Sequence, residues 1–168
     1  PVYRFLEMWA AGSLILILVG TLVVYSFHFG LNRFTLAFPP VVKGHLSALG
    51  AAIFLLFSWG YWLDIFDLAY SRRGVVFGPS YTDVNAQWFA FQLLIAVAIL
   101  CAVLLVANVF RRGARLPLVG IGLWIGVGII FGGIYPGVVQ KFEVEPNELG
   151  KERPYIENNI EMTRRAFG

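Results

Sequence analysis

Charge is what this sequence lacks. Asp, Glu, Lys and Arg make up 14% of the chain, against roughly 25% in an average soluble domain. Four stretches, residues 8–32, 44–63, 84–110 and 116–140, hold no charged side chain at all. That composition excludes a soluble globular class. Cysteine is almost absent: Cys101 stands alone, so no intrachain disulfide forms and the redox compartment is not encoded. The two histidines, His28 and His45, flank one loop and lack the third ligand that a metal site needs. There is no HExxH, no Cys/His cluster, and no strand ahead of a glycine loop to cradle phosphate. The apolar runs carry none of the intramembrane ionisable groups on which proton relays and ion-coupled transporters depend. A net charge of +3, dispersed along the chain, leaves no footprint for nucleic acid. No cofactor is expected either.

What is present is hydrophobic length. A helix crosses the hydrocarbon core with about 20 apolar residues, and lipid offers the backbone no hydrogen bonds, so each run is expected to cross as a helix. The expected fold class is all-α integral membrane, with four transmembrane helices in a bundle. The spans fall at about 8–29, 45–68, 84–110 and 117–139, giving a membrane region over 1–140. The tail, 141–168, changes character. Phe142 and Val144 alternate with Glu143 and Glu145, which predicts a short half-buried strand. Pro146-Asn147 reads as a turn, and Pro154 suits the first turn of a helix. Ile156, Ile160, Thr163 and Phe167 then share one helical face. Glu161 and Arg165 stand at i, i+4, an ion pair of about 0.3–0.5 kcal/mol. So short an apolar stripe must dock on something, and this strand-turn-helix tail reads as the start of an extracytoplasmic domain.

Four spans put both termini on one side. The loops 31–43 and 111–115 then share the other side, and they carry Arg33, Lys43, Arg111, Arg112 and Arg115 with no acid. The terminus-bearing side mixes Arg4, Arg72, Arg73 and Lys141 with Glu7, Asp64, Asp67 and Asp83. Basic loops stay in the cytoplasm, so both termini are expected to be extracytoplasmic.

The candidate site residues lie mostly on that outer side. Asp64 and Asp67 share a helix face at i, i+3; with Asp83 and Glu7 they could hold a hard cation. The plainer alternative is a solvated helix end whose acids pair with Arg72 and Arg73. The 70–85 loop joins the turn residues Gly74, Gly78 and Pro79 to apolar Val75, Val76 and Phe77. It reads either as a lid over a pocket or as a loop tucked under a downstream domain, with Thr82 or Asp83 capping the third span. In the fourth span Gly122, Gly126, Gly133 and Gly137 fall within a stripe of roughly 60° at 100° per residue. Small residues on one face admit a neighbouring helix; a channel lining is the weaker alternative.

Several blocks carry a family resemblance: GYWLDIFDLAYSRRGVVFGPSYTDVNAQ (60–87), RLPLVGIGLW (115–124), GGIYPGVVQKFEVEPNELGKERPYIENNIEMTRRAFG (132–168), and the opening YRFLE (3–7). In that order they resemble the bacterial uncharacterised protein family UPF0182. The resemblance implies a much longer plasma-membrane protein, with seven spans followed by a large extracytoplasmic domain. This chain would be the last four spans and the start of that domain. Its partners would be the lipid bilayer and the rest of its own polypeptide. The resemblance implies no activity and no site residues. A membrane anchor and packing module is the expected role. A transporter or lipid-handling protein with a cavity at the 70–85 loop is a second reading, and an enzyme using the outward acids is a third.

Overall fold

A computed structural model describes residues 2–29, 39–111 and 115–168, apart from the side chains of His28 and Phe29. Among the described residues the chain is all helical. The long elements are α1 (Val2–Phe29), α2 (Pro40–Asp67), α3 (Trp88–Val109), α4 (Arg115–Ile129), the single turn α5 (Tyr135–Val138) and α6 (Glu148–Phe167). Wider π-type turns sit at Asp83–Gln87, Ile130–Ile134 and Val139–Val144, and 3-10 turns at Leu68–Tyr70 and Glu145–Asn147. Among the described residues four continuous helical stretches, Val2–Phe27, Pro40–Tyr70, Asp83–Val109 and Arg115–Phe167, are long and apolar enough to cross a membrane. The loops around 30–38 and 112–114, with Arg33 and Arg112, lie outside the described residues.

By internal contacts the chain divides into two units, Pro1–Gly60 with Ile95–Ile125, and Tyr61–Leu94 with Gly126–Gly168. The first unit packs through small residues and rings. Gly50 of α2 admits Leu105 of α3, whose Cδ1 lies 3.1 Å from where a Cβ would stand. Trp124 of α4 stacks on Phe57 at 5.3 Å and meets Phe54 edge-on at 5.5 Å. Ala51, Ala98, Cys101 and Ala102 fill the remaining interior. Glu7 rests against Gly60, and Arg4 donates to the Gly60 carbonyl at 3.4 Å.

In the second unit Leu94 lies against Gly128 and Gly132, and Phe131 bridges Phe89 and Tyr135. Here the tail departs from expectation. Residues 142–145 form no strand: Val139–Val144 is a π-type turn continuing the helix, and Glu145–Asn147 is a 3-10 turn leading into α6. A lone strand would leave its N–H and C=O groups unpaired, whereas the helix arriving from α5 satisfies them locally. The alternation also has only one inward member, since Val144 is fully buried while Phe142 is exposed. Asn147, at φ −143° and ψ 53°, breaks the helix. Pro154 lies inside α6 rather than in its first turn, so the carbonyl of Gly150 goes without its i+4 donor.

Candidate functional site

The densest polar structure sits where the 71–82 loop enters the helical segment ahead of α3. Val84 N donates to the Ser80 carbonyl at 3.1 Å, which makes Ser80 the N-cap. Ser80 and Asp83 then complete a reciprocal capping box. Asp83 Oδ2 accepts from Ser80 N (3.1 Å) and from Ser80 Oγ (2.9 Å), while Asp83 N donates back to Ser80 Oγ at 3.3 Å. The other carboxylate oxygen of Asp83, a residue 1% exposed, takes Arg73 Nη1 at 3.2 Å. Arg73 Nη1 also donates to Gln87 Oε1 at 3.4 Å.

A second carboxylate reaches this helix start from α6. Glu152, also 1% exposed, accepts from Tyr81 N at 3.0 Å through Oε1. Its negative charge thus faces the positive end of the helix dipole. Glu152 Oε2 is buried and has no hydrogen-bond partner among the described residues. It lies over Gly74: a Cβ there would stand 3.0 Å from Oε2 and 2.8 Å from Ser80 Cβ. Gly74 is therefore a close-approach glycine, whereas Gly78 is a conformational one, with φ +122° and its N–H on the Ser71 carbonyl at 2.9 Å.

Around these two acids the loop is fastened to the tail. Lys151 Nζ lies 2.8 Å from Glu143 Oε1 and 4.6 Å from the centre of the Tyr81 ring. Tyr81 Oη donates to the same Glu143 oxygen at 2.7 Å. The Lys151 hydrogen bond, with Tyr81 second, holds the Glu143 carboxyl below its ordinary range, and the Glu143 hydrogen bond raises Lys151. Thr82 Oγ1 bonds to Gln140 Oε1, and Asn159 Nδ2 donates to the Phe77 carbonyl at 2.8 Å. Asn85 Nδ2 reaches Tyr155 Oη at 3.5 Å; burial is the main cause that raises the Tyr155 phenol. Next to this lattice a groove of about 190 Å³ is lined by Val76, Phe77, Pro79, Tyr155, Asn158, Asn159 and Met162. In chemical terms the arrangement fixes a loop on a helix. Asp83 and Glu152 face backbone N–H groups, and Asp83 also takes the Ser80 hydroxyl and Arg73.

The model of the uncharacterised protein family UPF0182 matches residues 1–168. The chain belongs to UPF0182. It is 41% identical over 170 residues to a UPF0182 protein of Frankia casuarinae, covering 100% of this chain and 17% of that one. A Thermobifida fusca relative is 48% identical over 129 residues, which is 77% of this chain and 13% of the relative. A Synechococcus relative is 38% identical over 188 residues, 100% of this chain and 22% of its own. The chain thus spans about a fifth or less of the UPF0182 proteins it matches. No solved structure matches it.

The sequence-derived candidates distribute unevenly in this UPF0182 chain. Asp83 is central, as a capping acid paired with Arg73. Asp64 is half-buried near the end of α2 and Asp67 is exposed as its last residue; each has interactions of its own within the chain. Among the described residues no group of three or more His, Cys, Asp or Glu side chains is placed to hold a metal. Glu7 sits on Gly60 in the first unit. His45 is exposed. The cap expected of Thr82 or Asp83 is Ser80, with Asp83 as its partner three residues on. Among the described residues, nothing from a neighbouring element lies within 4 Å of where a Cβ would stand at Gly122, Gly126, Gly133 and Gly137, whereas Gly120 meets Leu104 and Cys101, and Gly132 meets Leu94. The π-type turn at Ile130–Ile134 adds a residue to one turn, which rotates Gly133 and Gly137, though not Gly122 and Gly126, away from the register counted at 100°. Glu152, Gly74 and the Tyr81–Glu143–Lys151 cluster have no signature in the sequence. Only Ser80-x-x-Asp83 carries a local signal, the capping-box spacing.

Proposed function

We propose that this chain is the membrane anchor of a longer UPF0182 protein and that its 71–82 loop and α6 form a rigid outer platform for the rest of that polypeptide. The four helices cross the bacterial plasma membrane, residues 1–140 form the membrane region, and residues 141–168 begin an extracytoplasmic domain. Both termini face outward and the basic loops face the cytoplasm. The observation that carries this reading is the double carboxylate cap: buried Asp83 and Glu152 tie the loop, the start of the α3 segment and α6 into one piece. Length supports it too, because a span of about 20 residues begun at Leu116 is complete before Lys141. The open faces of Gly122, Gly126, Gly133 and Gly137 suit close packing by other spans of the longer protein. The enzyme reading loses its third acid, since Asp83 is committed to Ser80 and Arg73.

Topology tests the anchor. In the full-length protein with Cys101→Ala, cysteine introduced as Leu149→Cys is labelled by an impermeant thiol reagent in intact cells, and Arg111→Cys is labelled only after lysis. Both positions are exposed. Labelling of Arg111→Cys in intact cells with Leu149→Cys shielded overturns the reading.

A further inference from the structure

We propose that the groove between the 76–79 loop and α6 is the seat of an apolar segment from the part of the UPF0182 polypeptide outside residues 1–168. The inference rests on the anchor reading and adds the place where the platform is gripped.

The groove is built, not slack. Asn159 Nδ2 fixes one wall through the Phe77 carbonyl at 2.8 Å, and Gly78 turns the loop back onto Ser71 at 2.9 Å. Glu152 locks the base through Tyr81. Its lining is almost wholly apolar, yet Phe77 is 54% and Met162 67% exposed. Water is a poor filling for such a surface. Asn158 stands exposed at the rim and offers a carboxamide donor and acceptor to a passing backbone.

Charge decides between occupants. A helix that lies on anionic lipid carries Lys and Arg across its polar face. α6 carries Lys151, Arg153, Arg164 and Arg165 against Glu148, Glu152, Glu157 and Glu161, a net of zero. Two of these basic residues are paired within the helix, Arg153 to Glu157 and Arg165 to Glu161. Such a face suits protein rather than a membrane surface. The relatives supply the protein: this chain covers 17%, 13% and 22% of three of them, so most of each polypeptide lies outside the matched part. A segment held in cis binds at high effective concentration and needs little intrinsic affinity. Its chemistry is one or two bulky apolar side chains on uncharged backbone.

The test is photocrosslinking of the full-length protein in its own membranes, with Met162→benzoylphenylalanine and, separately, Phe77→benzoylphenylalanine. The expected product is an intrachain crosslink to a peptide outside residues 1–168, lost when Val76→Asp places a charge in the groove. Arg164→benzoylphenylalanine, away from the lining, is the control that stays uncrosslinked to that peptide. Crosslinks to lipid, to a second copy or to a different protein overturn the inference, as does the absence of any crosslink at both groove positions. The Leu149→Cys labelling separates the failures. Outward labelling without an intrachain crosslink sinks the groove assignment alone, whereas inward labelling sinks the anchor as well.

Discussion

Glu152→Ala and Glu152→Gln separate what the carboxyl group does by shape from what it does by charge. Truncation to alanine removes the acceptor of Tyr81 N–H, which leaves a partly buried donor unpaired at a cost of about 1–3 kcal/mol. It also removes one methylene, Cγ, from a site 1% exposed, at about 0.8 kcal/mol for a buried CH₂. Together the alanine variant loses on the order of 2–4 kcal/mol. Glutamine keeps Oε1 on Tyr81 and puts an NH₂ where Oε2 now has no partner. It gives up a charge–dipole term of about 0.3–1 kcal/mol and is relieved of holding an ion away from water. The new NH₂ is itself a buried donor without an acceptor, a cost of about 1–3 kcal/mol that relief of the buried charge partly offsets, so Glu152→Gln loses less than the alanine variant. Thermal unfolding in detergent gives the totals, and amide exchange of the 77–85 peptide localises them to the cap. A glutamine variant as damaged as the alanine one refutes the reasoning, because it would mean that Oε2 serves a charge-dependent partner.

Gly74→Ala places a methyl group 2.8 Å from Ser80 Cβ and 3.0 Å from Glu152 Oε2; overpacking of this kind costs about 1–3 kcal/mol, while Gly133→Ala, open on all sides, is neutral in the same melt of the isolated chain. Asp83→Ala uncaps the helix and strands Ser80 N–H, a loss of about 2 kcal/mol or more, whereas Asp67→Ala at an exposed helix end changes the melting temperature little; equal effects at the two positions argue against the capping box. The Glu143–Lys151 contact gives stability a defined pH range. The Glu143 carboxyl is lowered, so its contribution is complete above the ordinary carboxylate value and disappears as pH falls through the folded one. Lys151 is raised, so its contribution is complete below the ordinary ammonium value and disappears as pH rises through the folded one. Melts from acid to alkaline pH are expected to be flat in the middle, and Lys151→Met should remove the alkaline dependence and weaken the acid one, because the Tyr81 hydrogen bond to Glu143 remains.

The helices are legible in the sequence because lipid-length apolar runs admit one backbone solution. Among the described residues, 8–29, 44–63, 84–109 and 116–140 all lie in helical segments. Two-residue alternation at 142–145 misleads because periodicity records which side chains are apolar and not what the preceding backbone is doing. A helix arriving at Val139 can continue through Val144 without a partner strand. A count at 100° per residue assumes an unbroken α-helix, and the π-type turn at Ile130–Ile134 shifts it for Gly133 and Gly137 but not for Gly122 and Gly126. Asp83 stands out in the sequence as an unusual acid, yet its partners are three residues away in Ser80 and ten away in Arg73, so the sequence alone leaves it equally suited to a cation. Glu152 looks there like one more surface charge on an amphipathic helix. Its burial depends on Gly74 and Tyr81, 78 and 71 positions earlier by number, and no local pattern encodes that pairing.

Where polarity is buried differs between the two units, and the difference bears on the proposed anchor role. The interior of the first unit is made largely of Ala51, Ile53, Phe54, Ala98, Cys101, Ala102 and Leu105. Contacts of that kind fix the helices by shape, as where Gly50 admits Leu105 and Trp124 stacks on Phe57. In the second unit the buried polar groups Ser80, Thr82, Asp83, Gln87 and Glu152 gather where loop meets tail. Hydrogen bonds at such sites are satisfied in one register only, and every slipped register strands a donor or an ion. The polar cluster therefore adds little net stability, since burying its charges is expensive. What it adds is a single allowed orientation of α6 against the 71–82 loop. An anchor that had only to stay in the membrane would have no use for that. The proposed platform for the rest of a longer polypeptide would need it.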